Sequence, residues 1–259
     1  MSAFKWIGAT LGWSLGGPLG AILGLALGSL GDAFSEKESI FTIGDGKFSR
    51  KRPEPNQNKT RSRQRETNPG DFEVSLLVLA SVVIKADGVQ DQRELDVVRS
   101  QFVKMYGKER ANNAFKLFKS ISVQNISVKK VCLQIQQRME HASRLQLIHF
   151  LFDIAQADGN VHEKEEDQIH IIANYLNISY RDYESIKAMF YNSSDNAYKI
   201  LEIDSSATED EVKKAYRRMA KKFHPDKVEH LGEEHKKGAE AKFKEVLKAY
   251  EQIQDERGF

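Results

Sequence analysis

From Trp6 to Leu30 the chain carries no charged side chain. As a helix rising about 1.5 Å per residue, that stretch reaches roughly 37 Å, more than a hydrocarbon core of about 30 Å. Glycines recur at Gly8, Gly12, Gly16, Gly20, Gly24 and Gly28, and leucines keep the same period at Leu11, Leu15, Leu19, Leu23 and Leu27. In water each such glycine costs a helix up to about 1 kcal/mol relative to alanine. In a bilayer, small residues every fourth position let two helices approach closely, so the stripe predicts a single transmembrane helix over residues 1–34 that can pair with a second copy.

Residues 35–70 have another character. Lys47, Arg50, Lys51, Arg52, Lys59, Arg61, Arg63 and Arg65 stand among Pro53, Pro55, Asn56 and Gln57, with little that could bury a core. This reads as a disordered basic linker. Positive charge on the C-terminal side of a span predicts that this side is cytoplasmic and the N-terminus outside. The chain as a whole has 39 basic and 37 acidic residues, a net charge of +2, which does not make it a polyelectrolyte for nucleic acid. The basic linker is not interleaved with aromatics for base stacking, so no specific nucleic-acid partner is expected. Cys132 is the only cysteine, which excludes a disulfide framework and a cysteine-rich zinc module.

The fold class expected is all-α. Prolines number 5, and from Asp71 to Asn192 the apolar residues repeat at helical spacing. Leu76, Leu77, Leu79, Ala80, Val83 and Ile84 form one face; Val97, Val98, Phe102 and Met105 another; Leu145, Ile148, Leu151, Phe152 and Ala155 a third; Ile169, Ile172, Ala173 and Leu176 a fourth. The segment also repeats itself. Ala86-Asp87-Gly88-Val89 followed by Glu94 resembles Ala157-Asp158-Gly159-Asn160-Val161 followed by Glu166, which predicts two related helix–turn–helix units in residues 71–192. Helix capping accounts for these acidic turns, and so does a calcium- or magnesium-type carboxylate site. The region resembles the TerB-like, tellurite-resistance helical family. That resemblance implies Asp87, Asp91, Glu94, Asp158, Glu163 and Glu166 as candidate ligands for a divalent cation.

Residues 193–259 are the most informative. A short helix from Ala197 to Ile203 presents Tyr198 and Leu201, and Thr208 with Glu211 makes a capping box for the next helix. That helix has an apolar stripe of Val212, Tyr216, Met219 and Phe223, and on its other face Lys213, Lys214, Arg217, Arg218, Lys221 and Lys222. His224-Pro225-Asp226 ends it, because proline lacks an N–H and restricts the residue before it. A third helix carries Phe243, Val246, Leu247, Tyr250 and Ile253 on one face. Two long helices sharing apolar faces across a loop pack antiparallel, which puts His-Pro-Asp at an exposed tip.

These residues resemble the J-domain, the match running through Tyr198, Leu201, Ala215-Tyr216, Ala220, His224-Pro225-Asp226-Lys227, Phe243 and Ala249-Tyr250. The architecture is similar to that of DjlA-like DnaJ-family co-chaperones of the bacterial inner membrane, down to a glycine–aromatic tail, here Gly258-Phe259. The resemblance implies a DnaK-type 70-kDa heat-shock chaperone as partner. Lys213, Lys214, Arg217, Arg218, Lys221, Lys222 and Lys227 would meet an acidic patch on it, and Asp226 an arginine, with His224 and Pro225 shaping the loop. ATP hydrolysis would occur in the partner, so no enzyme activity and no cofactor are expected of this chain. One departure stands out. A long Gly/Gln-rich spacer is expected before the J-domain, yet only about Tyr191 to Asn196 separates the two units, which argues against their independent motion. The alternative reading is a membrane-bound stress-response scaffold or cation sensor with an accessory J-domain. A metal-dependent enzyme ranks lower, since no nucleophile, paired histidine ligands or phosphate loop accompanies the carboxylates.

Overall fold

A computed structural model describes residues 20–22, 69–86, 92–156, 159–191 and 196–259. The basic linker up to residue 68 and most of the uncharged stretch lie outside the described residues, as do Asp87, Asp91 and Asp158. Among the described residues the chain is all-helical with no strand. Its elements are α1 (Pro69–Val83), α2 (Gln92–Ser122), α3 (Val128–Arg138), α4 (His141–Ala155), α5 (Glu163–Tyr175), α6 (Tyr180–Ala188), α7 (Asn196–Ile200), α8 (Glu209–Lys222), a 3₁₀ segment (Pro225–Leu231) and α9 (Glu233–Arg257). The first helix starts at Pro69, inside the stretch read as linker, because proline has no N–H to leave unpaired in a first turn.

Helices α1 to α6 form a bundle with α1 and α4 at its centre. Phe72, Leu76, Leu77, Val78, Leu79, Ala80 and Val83 of α1 are buried on every side, as a central helix requires. α2 is broken at Gly107, whose φ of 77° favours glycine, and its second half buries Ala111, Leu117, Phe118 and Ile121. Ile169, Ile172, Ala173 and Leu176 of α5 are buried in line with their spacing.

α4 differs from expectation. The predicted stripe of Leu145, Ile148, Leu151, Phe152 and Ala155 is buried, but so are Gln146, Leu147, His149 and Phe150 on the other side. The reason is tertiary: α1, α5 and α6 cover one side of α4, and α9 with the 3₁₀ segment covers the other. The C-terminal unit is therefore seated on the bundle.

Of the uncharged stretch, Gly20–Ile22 are helical. Ile22 packs against the bundle, and its carbonyl accepts a hydrogen bond from Gln124 Nε2 at 3.2 Å. No described helix is long and apolar enough to cross a membrane.

Candidate functional site

The C-terminal unit is a helical hairpin with a short helix across its base. Thr208 caps α8 reciprocally: its Oγ1 accepts from the Glu211 N–H at 3.4 Å, while its own N–H donates to Glu211 Oε2 at 2.7 Å. Val212, Ala215 and Met219 turn inward with Val246, Ala249 and Ile253 of α9, all buried. Tyr216 and Tyr250 stack with centroids 4.4 Å apart. The short helix ends at Ile200, earlier than its apolar residues suggested, because Glu202 turns the chain at φ 57°. Arg257 locks the base, its Nε donating to the Tyr198 hydroxyl at 3.0 Å and its other nitrogens to the carbonyls of Ala207 and Ser205. Gly258, in the left-handed region at φ 75°, ends α9, and Phe259 turns back so that Lys213 Nζ lies 5.7 Å from its ring centre.

At the opposite end α8 stops at Lys222, and His224 adopts the extended backbone demanded by Pro225 (φ −60°, ψ 132°). The Asp226 N–H donates to His224 Nδ1 at 3.3 Å, and the Asp226 carboxylate stands 3.4 Å from the same nitrogen. The imidazole thus braces a tight turn, with Phe243 edge-on at 6.0 Å. Contrary to a plain loop leading straight into the third helix, Pro225–Leu231 winds as a 3₁₀ segment anchored by buried Val228 and Leu231. The side chains of His224 and Asp226 remain 49% and 73% exposed. An exposed carboxylate held in this turn can accept a charge-assisted hydrogen bond from a cationic group.

The basic ridge divides in two. Lys214, Arg217 and Lys221 are exposed and form no ion pair among the described residues, so they make one outward stripe leading toward His224; Lys227 is exposed beyond it. The other three are engaged internally. Lys213 pairs with Glu209. Arg218 donates to the Leu201 carbonyl at 3.0 Å. Lys222 lies 2.6 Å from both Asp182 of α6 and Glu202. Burial pushes the Asp182 carboxyl up, but hydrogen bonds from Lys222 and Ser179 outweigh it and hold it below its ordinary value. Sequence reasoning could not find Asp182 or Glu202, because neither has a local pattern linking it to Lys222.

Of the candidate cation ligands, Glu163 and Glu166 have described side chains, and Glu94 lies in α2 with its side chain outside the described residues. Glu163 is exposed in the first turn of α5. Glu165 caps that helix, accepting from the His162 N–H at 3.1 Å. Glu166 instead pairs with Lys187 and accepts from the Tyr191 hydroxyl at 2.8 Å. Burial acts to raise its carboxyl, and those two hydrogen bonds bring it below the ordinary value. Among the described residues no cluster of three His, Cys, Asp or Glu side chains could hold a metal ion.

Comparison with known proteins matches these units to three families. Residues 196–258 match the DnaJ domain, residues 73–188 the tellurite resistance protein TerB, and residues 1–53 the co-chaperone DjlA transmembrane domain. The DnaJ chaperones of Fusobacterium nucleatum and Thermoplasma acidophilum are 50% and 53% identical over 58 residues, 22% of this chain and 15% of theirs. This chain thus spans only a small part of those chaperones' length. No solved structure gives a significant match. A braced His-Pro-Asp turn on an antiparallel hairpin, seated on a TerB-type bundle, defines a J-domain protein. The co-chaperone protein DjlA of Photobacterium profundum is 29% identical over 228 residues, 75% of this chain and 80% of that one. The chain thus carries a DnaJ domain at its C-terminal end and is similar to the co-chaperone DjlA over three quarters of its length.

Proposed function

We propose that this protein is a membrane-attached co-chaperone that stimulates ATP hydrolysis by a DnaK-type 70-kDa heat-shock chaperone and has no catalytic site of its own. The exposed His224–Asp226 turn, with the outward stripe of Lys214, Arg217 and Lys221 beside it, carries this reading. Complementary charge along the stripe speeds encounter and sets orientation. Asp226 then bonds a cationic group of the chaperone, and contacts that favour its hydrolysis-competent state shift it there. On this reading the N-terminal stretch is a single-pass anchor in the inner membrane with the TerB and J-domains cytoplasmic, and its glycine stripe would let two copies pair. The similarity of residues 1–53 to the DjlA transmembrane domain supports attachment.

The test is single-turnover ATP hydrolysis by a DnaK-type chaperone with the full chain in lipid nanodiscs. Wild type should raise the rate at least tenfold, and His224→Gln should abolish the rise. Equal rates from both would sink the reading.

A further inference from the structure

The face of α9 turned away from its own hairpin is covered by the TerB bundle. His235 is enclosed by Phe72, Tyr106 and Phe150, with ring centres 4.4, 5.7 and 5.6 Å away. One turn on, Gly238 lies so close to α4 that a Cβ there would stand 2.7 Å from Gln146 Nε2 and 2.8 Å from Phe150 Cζ. A further turn brings Lys242, 2% exposed, with its Nζ 5.4 Å from the Phe223 ring centre. The 3₁₀ segment that carries Pro225 and Asp226 leans on α1 and α4, and Lys222 reaches Asp182 at the edge.

This seam is close in shape but poorly matched in polarity. Lys242 forms no ion pair among the described residues, and the carboxylate acting on it, Asp153 of α4, is paired with His149 at 3.2 Å. Gln146 is fully buried with no hydrogen-bond partner at either end of its amide among the described residues, and Ser143, one turn earlier, is buried in the same state. Each such group is destabilised when dry and recovers its hydrogen bonds when hydrated. Opening the seam would hydrate them, so its closure is marginal where the cores on either side are apolar and firm.

We infer that the TerB domain holds the J-domain in a releasable clasp, formed by His235, Gly238 and Lys242 against α4, which ties back the Lys222 end of the basic ridge until it opens. Its consequence for activity rests on the co-chaperone reading above; the opening itself does not.

The experiment uses the full chain in nanodiscs and two substitutions away from the His-Pro-Asp turn. Gly238→Leu places a side chain where none fits and favours the helix over glycine, so it opens the seam without weakening α9. Lys242→Met removes the buried charge and closes it. Hydrogen exchange is read over Gln146–Asp153 and Gly238–Lys242, together with the co-chaperone concentration giving half-maximal ATPase stimulation. Gly238→Leu should speed exchange on both faces at least tenfold and lower that concentration several-fold; Lys242→Met should do the reverse. Unchanged exchange in both variants overturns the clasp, and an open seam with equal or weaker stimulation overturns its guarding role. If Gly238→Leu also speeds exchange in α8, its hairpin is damaged and Lys242→Met decides by the same criteria. Seam exchange that follows the variants while no protein stimulates the chaperone refutes the co-chaperone reading, and leaves the clasp standing as a physical device.

Discussion

Lys242 shows how much one residue can report. Its ammonium is buried, and desolvation outweighs the pull of Asp153, bringing its pKa from 10.5 down to about 7. A lysine whose folded value lies below its unfolded value holds its proton less tightly when folded. Its contribution is therefore most favourable above pH 10.5, shrinks as pH falls toward 7, and is constant below that. At about 1.4 kcal/mol per pH unit, falling off as pH nears 7, wild type should lose about 2 kcal/mol from this group between pH 9 and pH 7. Lys242→Met should lack that slope and melt higher than wild type at pH 7; identical slopes in thermal unfolding at pH 7, 8 and 9 would disprove the assignment. Cys132 is simpler. Burial pushes its thiol up to about 12, which makes it an apolar packing group rather than a nucleophile.

Among the elements, α8 was legible nearly in full. Its capping box, apolar stripe and Pro-enforced stop all depend on neighbours within four residues, and each is present. Thr208→Ala removes the reciprocal cap and should cost about 1 kcal/mol in urea unfolding while leaving the His224–Asp226 turn intact. A change below about 0.2 kcal/mol would mean the cap is idle. By contrast α4 was half legible. The stripe of Leu145, Ile148 and Leu151 predicted one buried face, but nothing in a local pattern says that a second unit will cover Gln146, His149 and Phe150. The acidic turns divide similarly. Glu165 makes the cap that the composition of a first helical turn suggests, whereas Glu166 meets Lys187 and Tyr191, which lie 21 and 25 residues further on.

At the scale of the molecule, the short connection between the two units and the seam on α4 make the J-domain part of a larger body rather than a tethered ornament. A chaperone recruited to the tip would be presented at an angle set by the TerB bundle. On the proposed anchoring, the N-terminal stretch would set where that happens. Deleting residues 1–34 should move the protein from the carbonate-resistant membrane fraction to the soluble one. In intact spheroplasts, protease added outside should leave the TerB and J-domains uncut; their cleavage would reverse the proposed orientation.

The sequence by itself determined the all-helical class of the described residues, the capped and proline-stopped hairpin and the exposed His-Pro-Asp tip. Hydrophobic period, capping and proline geometry act over one or two turns, so a linear pattern records them. Only the tertiary structure decided that Lys222 turns inward to Asp182 and Glu202, that the ridge narrows to Lys214, Arg217 and Lys221, and that Gly238 is where α9 meets α4. Those outcomes depend on which surfaces meet across long separations in the chain, and desolvation on meeting, not local propensity, sets what each side chain then does.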